Sequence, residues 1–210
     1  MGAHMSEVKR RYDSGARKRQ AEETRAAVLD AAQRLFLANG YAGTAIADVA
    51  AAAGVSVETV YKRFRGKAGL VRALRERALA GSGPVHAEQR SDALRGEDPH
   101  TIVRGWGLLA AEVAPLVAPI LLLVRDGAVH DHDLARLRDE LDDDRLRRMT
   151  DNARALHERG HLRVSVEEAA ELLWTYTAPE LFELLVLRRG WPAERFGAFV
   201  ADALAAALLG

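Results

Sequence analysis

Apolar residues recur at steps of three and four along nearly the whole chain, the spacing of a helix that buries one face. No alternating stretch is long enough for a strand, and no internal repeat is visible. The pattern predicts an all-α protein of about nine to ten helices, over 24–39, 45–53, 57–64, 67–80, 85–95, 100–126, 132–141, 144–160, 167–188 and 193–209. Residues 6–22 are polar and basic and read as a flexible arm; residues 1–5 look like a remnant of cloning. Gly81-Ser82-Gly83-Pro84 is the strongest break. The expected layout is therefore an arm over 1–22, a small basic unit over 23–82 and a larger helical unit over 83–210.

Chemical signals mark several helix ends. Ser165-Val166-Glu167-Glu168 has capping-box form. Pro179 should kink the helix that contains it, and Gly160 and Gly190 stand where helices end in a left-handed residue. Asp142-Asp143-Asp144 reads as the acidic start of a helix. The run from Leu108 to Val124 is apolar, but it is short for a membrane span and carries Glu112, Pro115 and Pro119, so a buried, kinked helix is expected and no membrane partner.

The segment from Ala45 to Phe64 reads as helix, tight turn, helix. Ala50 is small where two helices cross, Gly54 suits a turn with positive φ, and Ser56 can cap the second helix. Val60 and Phe64, four apart, share an inward face. Glu58 and Lys62 fall opposite them, flanked by Val57, Thr59 and Tyr61. Such an outward face fits the DNA major groove, whose base edges carry a distinguishable code. Small helix pairs of this kind also occur in proteins that never meet DNA.

Net charge is zero, yet residues 1–80 hold fifteen Lys/Arg against eight Asp/Glu, and residues 81–210 hold fifteen against twenty-two. One end can meet phosphates while the other repels them. Cysteine is absent, which excludes disulfides and thiolate metal sites. His130-Asp131-His132-Asp133 invites a metal reading, but alternate spacing does not suit a helix and a third ligand is missing, so a solvated turn is expected. No nucleophile elbow, P-loop, dinucleotide fingerprint or zinc-protease motif is present, and neither catalysis, a metal nor a cofactor is expected.

Residues 24–74 resemble the DNA-binding domain of the tetracycline-repressor (TetR) family. The likeness rests on Thr24-Arg25, Ala31-Ala32, Leu35-Phe36, Asn39-Gly40-Tyr41, Thr44, Asp48-Val49-Ala50, Ala53-Gly54-Val55-Ser56, Thr59-Val60-Tyr61, Phe64, Lys67 and Leu70, in order and without gaps. The resemblance implies that Thr44 contacts a phosphate, that Ser56, Val57, Glu58 and Thr59 face bases or nearby phosphates, and that Tyr61, Lys62 and Lys67 grip the backbone. It also implies a cytoplasmic homodimer on a palindromic double-stranded operator, joined through the helices near 167–188 and 193–209, and a small-molecule inducer pocket among the middle helices. Candidate lining is Trp106, Leu109, Val113, Leu116, Leu123, Met149, Trp174 and Phe182, which suits an apolar or aromatic molecule; the same side chains also suit ordinary core. Glu112, Arg104 and Arg125 are charged residues that stand near this set in sequence. Glu58 departs from the small or neutral residue common in the family; it either accepts from a cytosine amino group or pairs with Lys62. Arg17-Lys18-Arg19, with Lys9-Arg10-Arg11, is either a second DNA contact or a solvated tail. A regulator that only dimerises or binds a protein through its C-terminal part is the alternative to one released by a ligand.

Overall fold

A computed structural model describes residues 3–81 and 85–210, with side chains from residue 17 onward. Among the described residues ten α-helices follow one another: α1 (Ala3–Asn39), α2 (Ile46–Ala52), α3 (Val57–Phe64), α4 (Lys67–Ala80), α5 (Ala87–Ala93), α6 (Pro99–Ala128), α7 (His132–His157), α8 (Val166–Tyr176), α9 (Pro179–Phe182) and α10 (Ala193–Leu208). A 3-10 turn, Leu94–Gly96, follows α5, and a π turn, Glu183–Arg188, follows α9. Among the described residues the extended backbone amounts to an isolated bridge between Leu162 and Leu209. The all-α expectation holds.

Two compact units share these helices, the first ending at Ala73 and the second covering Leu74–Gly210. The division falls inside α4, ahead of the break expected at 82–83, which lies outside the described residues. In the first unit Val28, Ala32 and Phe36 of α1, Val49 of α2, Val60 and Phe64 of α3 and Leu70 of α4 form the core. Phe36 stacks on Tyr41 with ring centroids 5.7 Å apart. Burying side chains of this size stabilises the unit by roughly 1.5–3 kcal/mol each.

The second unit is built around α6, which packs on α7, α9 and most extensively on α10. Gly107 and Gly197 make the α6–α10 crossing: a Cβ on either would stand 2.4–2.5 Å from the other's carbonyl oxygen. Ile102, Val103, Leu156, Leu173, Phe196, Val200 and Leu204 fill this core. Helix α6 is long and apolar enough to cross a membrane by length and composition. It also supplies Ile102, Val103 and Trp106 to the core, and its Pro115 and Pro119 lie within the continuous helix.

Three local expectations change. The arm expected over 6–22 is helical, because α1 begins at Ala3. The stretch holds good helix formers and no proline, and its charges are spaced for i,i+4 support, as in Lys18 with Glu22 and Arg19 with Glu23. Asp142-Asp143-Asp144 lies inside α7, so the helices expected over 132–141 and 144–160 are one. Asp142 pairs with Arg145 and Asp144 with Arg147, each at i,i+3, so these acids serve side-chain cations instead of a helix end. The helix expected over 167–188 is broken after Tyr176 and restarts with Pro179 in its first turn, where the missing N–H costs nothing.

Other ends form as expected. The Ser165 hydroxyl accepts from Glu168 N at 3.1 Å, and Gly160 and Gly190 have φ of 71° and 69°. Asp131 caps α7 by accepting from the amides of Asp133 and Leu134. That places His130 to Asp133 at a helix start, and no cluster able to hold a metal occurs among the described residues.

Candidate nucleic-acid interface and ligand cavity

Helix α3 is a short rod fixed at both ends. At its start Gly54 takes φ of 67°, turning the chain out of α2, and Ser56 Oγ accepts from Thr59 N at 3.1 Å. The Thr59 hydroxyl lies 2.9 Å from Ser56 Oγ, so both hydroxyls already have partners. At its end Arg65 adopts a left-handed conformation, φ of 60°, and its amide donates to Tyr61 O at 2.8 Å. That conformation costs a non-glycine residue roughly 1–2 kcal/mol.

The inward face holds Val60 and Phe64, both buried. The outward face exposes Val57, Glu58, Tyr61 and Lys62, with Arg65 beyond them. Tyr61 is 52% exposed and Val57 42%, which leaves two large apolar surfaces free on a rod of eight residues. Among the described residues no ion pair joins Glu58 to Lys62, so the carboxylate sits on the outward face without that partner. Around the rod, Arg63 Nη1 donates to Ala21 O at 2.8 Å and Arg25 lies over the Phe64 ring at 5.4 Å. Both contacts hold α1 to α3.

Thr44 and Lys67, both expected at phosphates, have partners inside the fold. Thr44 is 1% exposed, and its hydroxyl faces Leu35 O at 3.1 Å and Gly40 O at 2.9 Å. It fastens the end of α1 to the turn before α2, and a buried hydroxyl in use cannot reach a phosphate. Lys67 lies 4.4 Å above the Tyr41 ring and donates to Tyr41 O at 2.9 Å. Its ammonium still has two further hydrogens. Arg17, Lys18 and Arg19 are exposed along α1, whereas the side chains of Lys9, Arg10 and Arg11 lie outside the described residues. Sequence reasoning missed Arg65, although a basic residue followed by Gly66 at the end of an amphipathic rod is a visible signal.

A cavity of about 180 Å³ opens in the second unit. Of the expected lining, Trp106, Leu109, Val113, Met149 and Phe182 are present, and Leu116, Leu123 and Trp174 are not. At 3.6 residues per turn, positions 116 and 123 fall about 60–80° to one side of Val113, while Val117 and Leu121, which do line the cavity, turn the other way. Leu116 is accordingly exposed. Trp174 instead carries the guanidinium of Arg145, 4.4 Å from its ring centroid. Trp106 Nε1 donates to Ser91 Oγ at 2.9 Å, which orients the indole at the wall.

The charged lining is not the expected Glu112, Arg104 or Arg125 but Arg75, Glu88, Arg145 and Arg148. Glu112 is bound bidentately by Arg90, at 2.7 and 2.9 Å, and Arg125 is held by Glu183 at 2.7 Å. Burial pushes the pKa of Arg145 down; Asp142 opposes that fall, and the charge of Arg75 adds to it.

The apolar stripe of the last helices divides in two. Leu173, Phe196, Val200, Leu204 and Leu208 are monomer core. Leu184 and Leu187, on the π turn, are half exposed.

Residues 28–74 match the bacterial regulatory proteins of the tetR family. Over that stretch, less than half of its length, the chain is similar to this family. At the level of sequence the chain is 47% identical over 57 residues to the HTH-type transcriptional regulator TtgR of Pseudomonas putida, which covers 27% of each chain. It thus spans about a quarter of that relative's length. Two solved structures share its fold across both units. The SmeT–triclosan complex matches with a TM-score of 0.69 at 21% identity, over 89% of this chain and 92% of that one. NalD, described as the secondary repressor of the MexAB-OprM multidrug efflux pump in Pseudomonas aeruginosa, matches with a TM-score of 0.66 at 20% identity, over 90% and 98%.

Proposed function

We propose that this chain is a TetR-family, sequence-specific DNA-binding transcriptional regulator, released from its operator by a small molecule. One observation carries the DNA reading: α3 is capped at both ends and turns Val57, Glu58, Tyr61 and Lys62 outward while Val60 and Phe64 anchor it. In this reading Val57 and Glu58 approach base edges, and Tyr61, Lys62 and Arg65 approach phosphates. Lys67 adds a backbone contact through its remaining hydrogens, and Ser56 and Thr59 hold the helix start in place. Thr44 makes no DNA contact in this reading, since its buried hydroxyl faces Leu35 O and Gly40 O. The exposed Arg17, Lys18 and Arg19 supply a further electrostatic contact. Bases specify and phosphates position.

The protein acts in the cytoplasm as a homodimer through α8, α10 and the π turn between them; the exposure of Leu184 and Leu187 on that turn supports this. A two-fold protein calls for a palindromic operator with recognition helices about 34–36 Å apart. The inducer enters the cavity beside Trp106, and SmeT, which shares the fold, is described in complex with triclosan. Helix α4 is the covalent link that belongs to both units. An effect of ligand on DNA affinity implies an equal effect of DNA on ligand affinity, typically about 1–3 kcal/mol.

Selection of binding sites from random duplex DNA with the purified full chain tests this reading. An enriched inverted repeat is expected; a pool without sequence preference would refute it.

A further inference from the structure

Most of the cavity wall is apolar, yet three guanidinium groups meet at it. Arg75 comes from α4, and Arg145 and Arg148, a turn apart, from α7. Arg148 is well matched: it donates to Asp92 Oδ1 at 2.8 Å and to Glu88 O at 3.1 Å. The other two are not. Arg75 reaches Asp144 only at 3.9 Å, and Asp144 is already engaged by Arg147. Arg145 has Asp142 at 3.6 Å, but that carboxylate is half exposed. Arg145 also donates to Trp174 O, while its Nε is buried with no hydrogen-bond partner. The charges of Asp142 and Glu180 favour the Arg145 cation, and that of Arg75 opposes it. Among the lining residues the carboxylate is Glu88, and it is exposed. Like charges withdrawn from water are costly unless an anion joins them.

We infer that the cavity takes an amphipathic carboxylate, its aromatic or aliphatic body against Trp106, Leu109, Val113 and Phe182 and its carboxylate between Arg75 and Arg145. The planar fork of arginine matches a carboxylate in two parallel hydrogen bonds. Bound there, the ligand ties the second half of α4 to α7 through a charge that Asp144 and Asp142 meet only at 3.9 and 3.6 Å. The inference rests on the reading of this cavity as a ligand site and adds the sign of the ligand's charge.

Calorimetric titration of the full chain with 1-naphthoate and with its uncharged amide, 1-naphthamide, tests it. The two probes share a body and differ in charge, so the wild-type comparison decides without any variant. The acid is expected to bind about tenfold more tightly than the amide, the worth of one charge-assisted contact. In Arg75→Gln that preference should shrink to about threefold or less, with amide affinity unchanged and the thermal transition within a few degrees of wild type. Equal binding of acid and amide would overturn the anionic ligand while leaving the cavity a ligand site. Failure of both to bind at millimolar concentration would overturn the ligand site as well. A preference undiminished in both Arg75→Gln and Arg145→Gln would overturn the assignment to these arginines.

Discussion

The rod α3 and the cavity beside α6 place function in opposite ways. In the rod the outward side chains Val57, Glu58, Tyr61 and Lys62 come from one stretch of eight residues, and its geometry is set by neighbours in sequence: Ser56 at one end, Arg65 at the other, Val60 and Phe64 beneath. In the cavity the decisive side chains come from α4 and α7, some seventy positions apart in the chain, and meet only through tertiary packing. A contiguous site can be read and tested one residue at a time. A dispersed one responds to changes anywhere in the frame that brings its parts together.

The largest expected effect breaks the rod. Phe64→Ala should cost about 3–5 kcal/mol in urea unfolding of the first unit and abolish DNA binding, while 1-naphthoate titration in the second unit stays unchanged. Loss of both activities together would show that the two regions do not stand independently. Next is specificity. Glu58→Ala should relax discrimination at one base pair of each half-site by about 1–3 kcal/mol, read by competition among operator variants. If all variants compete as before, Glu58 does not read a base. Smaller still, Tyr61→Phe and Lys62→Ala should each lower affinity on every duplex alike, and Lys62→Ala should reduce the slope of log affinity against log salt by about one. An unchanged slope would remove Lys62 from the phosphate contacts.

The smallest effect belongs to the cavity's frame. The Asp92 carboxyl is held below its ordinary range mainly by the hydrogen bond from Arg148, with Arg95 adding to it. A depressed folded-state pKa means that the stabilisation is complete above the unfolded value and is lost as pH falls through the folded one. Stability of the second unit should therefore decline below about pH 4, and that decline should be shallower in Asp92→Asn. An identical acid profile in the variant would show that this ion pair does not contribute.

The same contrast explains what could be read before the structure. Gly54, Ser56, Val60 and Phe64 were legible because turn, cap and inward face are local in sequence. Thr44 was placed at DNA by resemblance, but the carbonyls of Leu35 and Gly40 take its hydroxyl, and neither partner is visible from the motif. The acidic triplet 142–144 resembled a helix start because its arginine partners at i+3 were not weighed against a cap. Leu116 and Leu123 followed a seven-residue step that drifts off a 3.6-residue helix. The lining arginines carried no signal at all, since nothing in the chain links Arg75 to Arg145 before it folds. The helices expected over 167–188 and 193–209 were legible as helices, but packing alone decided that Phe196, Val200 and Leu204 are core while Leu184 and Leu187 remain on the surface.

Methylation interference on a selected operator tests most directly whether the outward side of α3 occupies the major groove. Methyl groups on guanine N7 project into that groove, so they should block binding in two clusters about one helical turn apart, and Glu58→Ala should weaken the block at one position in each cluster. Binding that tolerates N7 methylation throughout the operator would contradict the account.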